Sequence, residues 1–185
     1  MKTDVLKTAG KFVSVGVLAA FLVACGGDKA QPLTSNKDEP AWVNNMKAAK
    51  EAANSLIAAV GQAKLLDGNI NYATNQATMQ ARIQIAQSVS AGVEQAIKDM
   101  AQSDGLKISE NSLQAAKQKV EATLQKTEMV QRWVDKSTNP QTLYVLVSMD
   151  KEAYENAMKN TSQVLNIDAD KAKKLSDTVE EMLKK

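Results

Sequence analysis

The chain contains no histidine and a single cysteine, Cys25. The first absence removes the commonest general base and the commonest metal ligand. The second rules out an intramolecular disulfide, so a folded domain must be held by packing. Aromatic residues make up only 4% of the chain, and proline occurs three times. No block of lysine and arginine stands out, so the electrostatic footprint of a nucleic-acid binder is missing. Lys184-Lys185 reads as favourable charge at a helix C-terminus rather than as a basic patch.

What is present suits one modest domain with targeting and linker segments: 185 residues, 44% hydrophobic and 24% charged. Alanine supplies much of the apolar content and favours helix. The net charge of +2 is concentrated in the leader. Without Lys2, Lys7, Lys11 and Asp4, the 23 basic and 21 acidic side chains become 20 of each, and the mature chain is formally neutral.

Met1–Lys11 is positive, and Phe12–Val23 is an apolar run of 12 residues broken only by Ser14 and Gly16. As a helix that run reaches about 18 Å, short of a ~30 Å hydrocarbon core, so it reads as a cleaved secretory signal over residues 1–24. Leu22-Val23-Ala24-Cys25 matches the lipobox of bacterial lipoproteins. Small residues before the cysteine admit the peptidase, and the thiol is the nucleophile that takes the lipid. The resemblance implies an N-acyl, S-diacylglyceryl Cys25 anchored through several acyl chains. Gly26-Gly27 follows, with no aspartate to signal inner-membrane retention, so the outer membrane is the expected destination.

Residues 26–39 form a polar, Gly-, Pro- and Ser-containing tether that could reach at most about 50 Å. The domain is expected over 40–160, with a C-terminal helical extension over 161–185. Pro40-Ala41-Trp42-Val43 marks the entry. Met46–Asn54 reads as a short helix; Ser55–Ala63 could continue it or form a buried strand, and strand is favoured because Gly61 and Asn54 weaken helix there. After the turn Asp67-Gly68-Asn69, a long helix is predicted from Asn71 to about Met100. Its stripe is Ala73, Ala77, Ala81, Ile85, Val89, Val93, Ala96 and Met100, with Gly92 suggesting close packing.

Asp104-Gly105 breaks that pattern. A helix follows over Asn111–Gln125, with Asn111 and Gln114 spaced as a capping box. Period-two alternation then predicts strands over Lys126–Asp135 and Thr142–Met149, joined as a hairpin through Lys136–Gln141. Asp150 reads as the N-cap of a helix Lys151–Lys159. A final amphipathic helix, about Asp168–Leu183, gathers Ala172, Leu175, Val179, Met182 and Leu183 on one side, to dock on its own domain or on a partner. The expected architecture is α+β: a small antiparallel sheet packed on a long helix, with an added C-terminal helix.

Several stretches resemble the Helicobacter twenty-kilodalton outer-membrane lipoprotein antigen family, which is related to the flagellar lipoprotein P. These are the lipobox, the Pro40-Ala-Trp-Val entry, Asp67-Gly-Asn-Ile-Asn-Tyr-Ala-Thr-Asn-Gln-Ala-Thr running into Ala81-Arg82, and Tyr144-Val-Leu-Val-Ser-Met-Asp. The resemblance covers about Pro40–Lys159. It implies an outer-membrane lipoprotein with an α+β domain and no enzyme activity, and it carries no catalytic motif.

The residues agree with a non-enzymatic reading. Glu180-Glu181, Asp150/Glu152 and Asp168/Asp170 sit at expected helix ends or polar faces, where capping and solvation explain them. Asp168-x-Asp170 resembles a calcium-loop start, but Lys171 and Lys173 occupy later ligand positions. No metal, cofactor, small-molecule substrate or nucleic acid is therefore expected. Trp42 and Trp133 read as core rather than as binding anchors. Asn71, Asn75, Gln76 and Gln80 form a polar run opening the long helix: a hydrogen-bonded helix entry or a recognition surface. Two roles remain. One is structure or assembly of the envelope, with the flagellar motor and motility as its setting and a second copy or flagellar or envelope proteins as partners. The other is a surface-exposed antigen or adhesin that binds host components.

Overall fold

The computed structural model describes residues 38–122 and 126–184. The signal segment, the lipobox Leu22-Val23-Ala24, Cys25 and the tether as far as residue 37 lie outside the described residues, as does the expected helix end at Gln125.

The domain is α+β, with helices α1 Met46–Ala52, α2 Ile70–Asp104, α3 Glu110–Ala122, α4 Lys151–Leu165 and α5 Ala169–Lys184. Strands β1 Ile57–Lys64, β2 Thr127–Asp135 and β3 Thr142–Met149 form one antiparallel sheet in the order β1-β3-β2. The central strand β3 carries the near-continuous apolar run, because both of its faces are covered. Ile57 pairs with Met149 and Lys64 with Thr142 on one side, while Thr127 pairs with Met149 and Asp135 with Thr142 on the other. A bulge between Met129 and Gln131 interrupts β2, an edge strand. The predicted hairpin is the β2–β3 pair.

One face of the sheet packs on α2. Ala73, Ala77, Ala81, Ile85, Val89, Val93, Ala96 and Met100 are all buried there, in one cluster with Ile57, Ala59, Leu143, Val145, Val147 and Met149. The contact begins with small residues because helix and strand come very close: a Cβ built on Gly61 would lie 1.8 Å from the Ala77 carbonyl oxygen. The other face carries a smaller cluster of Trp42, Val43, Ala49, Ala58 and Leu146, flanked by Trp133 and Tyr144. The Pro40–Val43 entry is a 3₁₀ turn closed by the Val43 N–H donating to the Pro40 oxygen (3.0 Å), and it lays Trp42 on the back of the sheet. Trp133 and Tyr144 meet with ring centroids 5.6 Å apart. Both tryptophans thus belong to core packing.

Several element ends differ from the expectation. The long helix has 35 residues and runs four beyond Met100, to a left-handed Gly105 whose N–H returns to the Met100 carbonyl. At its start, the Asn69 side chain accepts from the Tyr72 N–H (3.0 Å). The next helix is capped by Ser109 rather than by an Asn111/Gln114 box: Ser109 Oγ accepts from the Ser112 N–H (3.1 Å) and the helix already includes Asn111. The helix expected to stop at Lys159 continues to Leu165, across residue 160 where the domain was expected to end. Asn160-Thr161-Ser162 is poor helix sequence, but Thr161, Ser162 and Leu165 extend the buried face of Ala153, Ala157 and Met158, so burial overrides propensity.

The final helix docks on its own domain. Leu175 and Val179 are fully buried, and Val179 Cγ1 lies 3.1 Å from where a Cβ on Gly92 would be. Tyr154 donates its hydroxyl hydrogen to the Ser176 carbonyl (2.8 Å), and Lys174 pairs with Asp104 (2.7 Å).

Candidate functional site

The sequence of α2 sets up a surface as well as a core. From Ile70 to Val93 its only charged residue is Arg82. That guanidinium is engaged within the domain: Nε donates to Thr127 Oγ1 (2.9 Å) and a terminal nitrogen to the Thr127 carbonyl (3.1 Å). Exposed helix faces normally carry charge for solubility. Depletion of charge with exposed Tyr, Met and Ile is instead the composition of an interface centre.

Those apolar side chains are aligned. Tyr72, Gln76, Met79 and Ile83 recur at spacings of four, three and four, which places them on one line along the helix. The line is displaced about a third of a turn from the Ala73/Ala77/Ala81 stripe that meets the sheet. Tyr72 is 54% exposed, Met79 60% and Ile83 46%. The same spacing continues through Ala86, Ser90, Val93, Ile97 and Met100. There Ala86, Val93, Ile97 and Met100 are buried, in the half of α2 along which α3 folds back. Glu94, beside this line, forms an ion pair with Lys117 of α3 and a second with Lys98 (2.9 Å). These two partners, Lys117 first, hold the Glu94 carboxyl at a pKa of about 2. The line is therefore open at its Tyr72 end and covered at the other, where it merges with the sheet-facing stripe at Val93 and Met100 and where both α3 and α5 pack on α2.

The predicted polar run lies on and around the open end. Gln76 is within the line; Asn71 and Asn75 flank one side of it and are exposed. Gln80 lies on the opposite flank, where its Oε1 accepts from the Gln62 N–H of edge strand β1 (2.6 Å). Gln80 thus has a packing role, while Asn71, Asn75 and Gln76 surround the exposed apolar residues. Sequence reading missed Tyr72, Met79 and Ile83. Their spacing was the available signal, but it lies beside the stronger alanine stripe and has the same period.

The acidic pairs are dispersed. Asp150 Oδ1 accepts from the Ala153 N–H (2.6 Å) and Asp168 Oδ1 from the Lys171 N–H (2.9 Å), both as helix caps. The Lys171 ammonium and then its N–H lower the Asp168 pKa. Glu180 pairs with Lys184 (2.8 Å), which lowers its pKa in turn. Among the described residues, no group of three or more His, Cys, Asp or Glu side chains is placed to hold a metal ion. Two open clefts of about 500 and 640 Å³ share Leu56, Ile57 and Leu183. The second contains Tyr154 and Glu180, whose polar groups are already engaged with Ser176 and Lys184. Among the described residues, no helix is long and apolar enough to cross a membrane.

Fold and surface together define a small α+β scaffold that displays one face of a long helix. Residues 40–150 match the model of the LPP20 lipoprotein family, and the chain belongs to that family. The match runs from the Pro40 entry to the Asp150 cap, and so includes the sheet, α2 and its open face. None of the curated proteins compared matches the chain. Family membership makes this a lipoprotein, associated with a membrane through a lipid anchor.

Proposed function

We propose that this is a non-enzymatic outer-membrane lipoprotein, lipidated at Cys25, that serves envelope structure or assembly. The flagellar motor is the setting, and motility depends on the protein. The open face of α2, with Arg82 as its only charged residue, is the observation that carries the reading as an assembly protein. It is a surface suited to protein contact, on a domain in which Asp150 and Asp168 cap helices and Glu180 pairs with Lys184. Cys25 follows a lipobox and is the only cysteine, and a chain anchored there by more than one acyl group would be held stably.

The test pairs protease accessibility on intact cells with motility and motor imaging in a deletion strain. Protection from added protease, together with defective swimming and altered motors, is the expected result. Normal swimming with intact motors would overturn the motor assignment. Removal of the domain by protease added to whole cells would instead favour a surface antigen or adhesin. For the anchor, Cys25→Ser should release the protein from the outer-membrane fraction; unchanged sedimentation with that membrane would refute lipidation at this residue.

A further inference from the structure

We infer that the open half of the α2 seam is where a second copy of this chain docks, α2 against α2, in antiparallel orientation. The inference rests on the reading of this face as a docking surface and adds the identity and direction of the partner.

Three observations lead there. First, the exposed line is continuous with positions that the chain's own fold already covers, in the half of α2 where α3 and α5 pack. From Ala86 to Met100 the positions are buried or partly buried where α3 folds back along α2, with Lys117 paired to Glu94. From Tyr72 to Ile83 the same repeat is exposed. A helix laid along the open part in the direction of α3, which returns from Gly105 to pair Lys117 with Glu94, would run antiparallel to α2.

Second, the open part complements itself in that direction. A twofold contact requires a surface that fits its own image. Antiparallel pairing sets Tyr72 of one copy against Ile83 of the other and Gln76 against Met79, so each layer contains at least one large apolar side chain. Parallel pairing in register would stack Gln76 on Gln76 and place two amides in the seam.

Third, the face carries little charge to repel a copy of itself, and antiparallel pairing sets the two Arg82 guanidinium-bearing positions about 13 Å apart along the helix axis, beyond a Debye length. Arg82, its only charged residue, is bonded to Thr127, and the mature chain carries 20 basic and 20 acidic side chains once Lys2, Lys7, Lys11 and Asp4 are removed from the totals of 23 and 21.

The contact is short. Tyr72 to Ile83 spans about 17 Å of helix, so the interface belongs with small, transient ones. Confinement of both copies to one membrane by their lipids raises their effective concentration and compensates for a weak contact. Association is therefore expected to be strong in the membrane and weak in dilute solution.

The test uses the full lipoprotein in the membranes of producing cells, with two differently tagged copies and mild oxidation. One copy carries Tyr72→Cys and the other Ile83→Cys. Within one helix these positions are about 16 Å apart, too far for a disulfide, so any bridge joins two chains. The mixed pair should give a product of about twice the chain mass carrying both tags. Tyr72→Cys with itself should give roughly fivefold less, because antiparallel pairing separates equivalent positions by a similar ~16 Å. Adding Met79→Arg, at an exposed position, should reduce the mixed product about tenfold by placing an unpaired charge in the seam, while the melting temperature stays unchanged. A dominant Tyr72–Tyr72 product, or a mixed product insensitive to Met79→Arg, would overturn the inference. Bridging only to a chain of different mass would overturn the second copy but leave the face as a docking surface. No bridged product from any variant would overturn both.

Discussion

Replacing Gly61 with alanine places a methyl group where the Ala77 carbonyl already stands. The added Cβ would lie 1.8 Å from that oxygen, 2.8 Å from its carbon and 2.9 Å from the Ala81 nitrogen. All three are helix backbone atoms, so no side-chain rotation relieves the clash. To bring the nearest contact to about 3.2 Å, β1 and α2 must separate by roughly 1.4 Å, which loosens Ala73, Ala77 and Ala81 against the sheet as well. Overpacking a well-filled core costs about 1–3 kcal/mol, and a backbone clash belongs at or above the top of that range. The expected loss is about 3 kcal/mol or more, seen as a fall in melting temperature of roughly 6–12 °C for a domain of this size. The sign is diagnostic, because glycine in an unstrained strand is worse than alanine by about 0.5–1 kcal/mol, so Gly61→Ala would stabilise if the seam were loose. Gly92→Ala is the control. Its Cβ meets only the Val179 side chain, at 3.1 Å, so a shift of a few tenths of an ångström suffices, and alanine returns up to ~1 kcal/mol of helix propensity. Its stability should stay within about 1 kcal/mol of the parent. Urea unfolding followed by circular dichroism measures both. A Gly61→Ala protein as stable as the parent, or both variants falling equally, would refute the close-approach argument.

Other consequences concern the second core, the acid response and the terminal helix. Trp42→Ala should cost about 3–5 kcal/mol, because it removes the largest member of the small cluster behind the sheet; a loss below about 1 kcal/mol by urea titration would show that this face is not a core. Glu94 titrates near pH 2 in the folded state against an ordinary value of 4.5, so between these values the unfolded state binds more protons. Its contribution is thus complete above about pH 4.5 and disappears as pH falls toward 2. The stability difference between the parent and Glu94→Gln should shrink across that window, and a pH-independent difference would argue against the ion pairs with Lys117 and Lys98. Tyr154→Phe should cost about 1 kcal/mol by removing the bond to the Ser176 carbonyl. Burial pushes the Tyr154 pKa up to about 12 from 10, so the folded state retains a proton that the unfolded state loses. The parent should therefore lose stability between about pH 10 and 12 relative to the phenylalanine variant, as alkaline melts would reveal.

Legibility in the sequence followed the range of the interaction. The alanine-led stripe of α2 is a local pattern with a period of 3.6, and it appears as a buried face in the fold; the alternation of β2 and β3 locates two strands, but β3 is covered on both faces and β2, at the sheet edge, is exposed through most of its length, so neither shows a period-two burial. The lipobox is a contiguous motif that needs no fold to be read. Caps were harder. Asn111 and Gln114 have the spacing of a capping box, yet Ser109 takes that role, because the turn after Gly105 determines which side chain meets a free N–H. Helix α4 passed its expected end because Thr161 and Leu165 gain burial that no local propensity reports.

The open seam illustrates the remaining gap most clearly. Tyr72, Met79 and Ile83 share one repeat with Val93, Ile97 and Met100, and the pattern alone assigns all six to the same kind of surface. Three are exposed and three are buried because α3 and α5 pack on only the C-terminal half of α2, where the line also drifts onto the sheet-facing stripe. Spacing along the chain determines which residues share a helix face. Whether that face is covered depends on where distant segments return, and here that return leaves Tyr72, Met79 and Ile83 exposed.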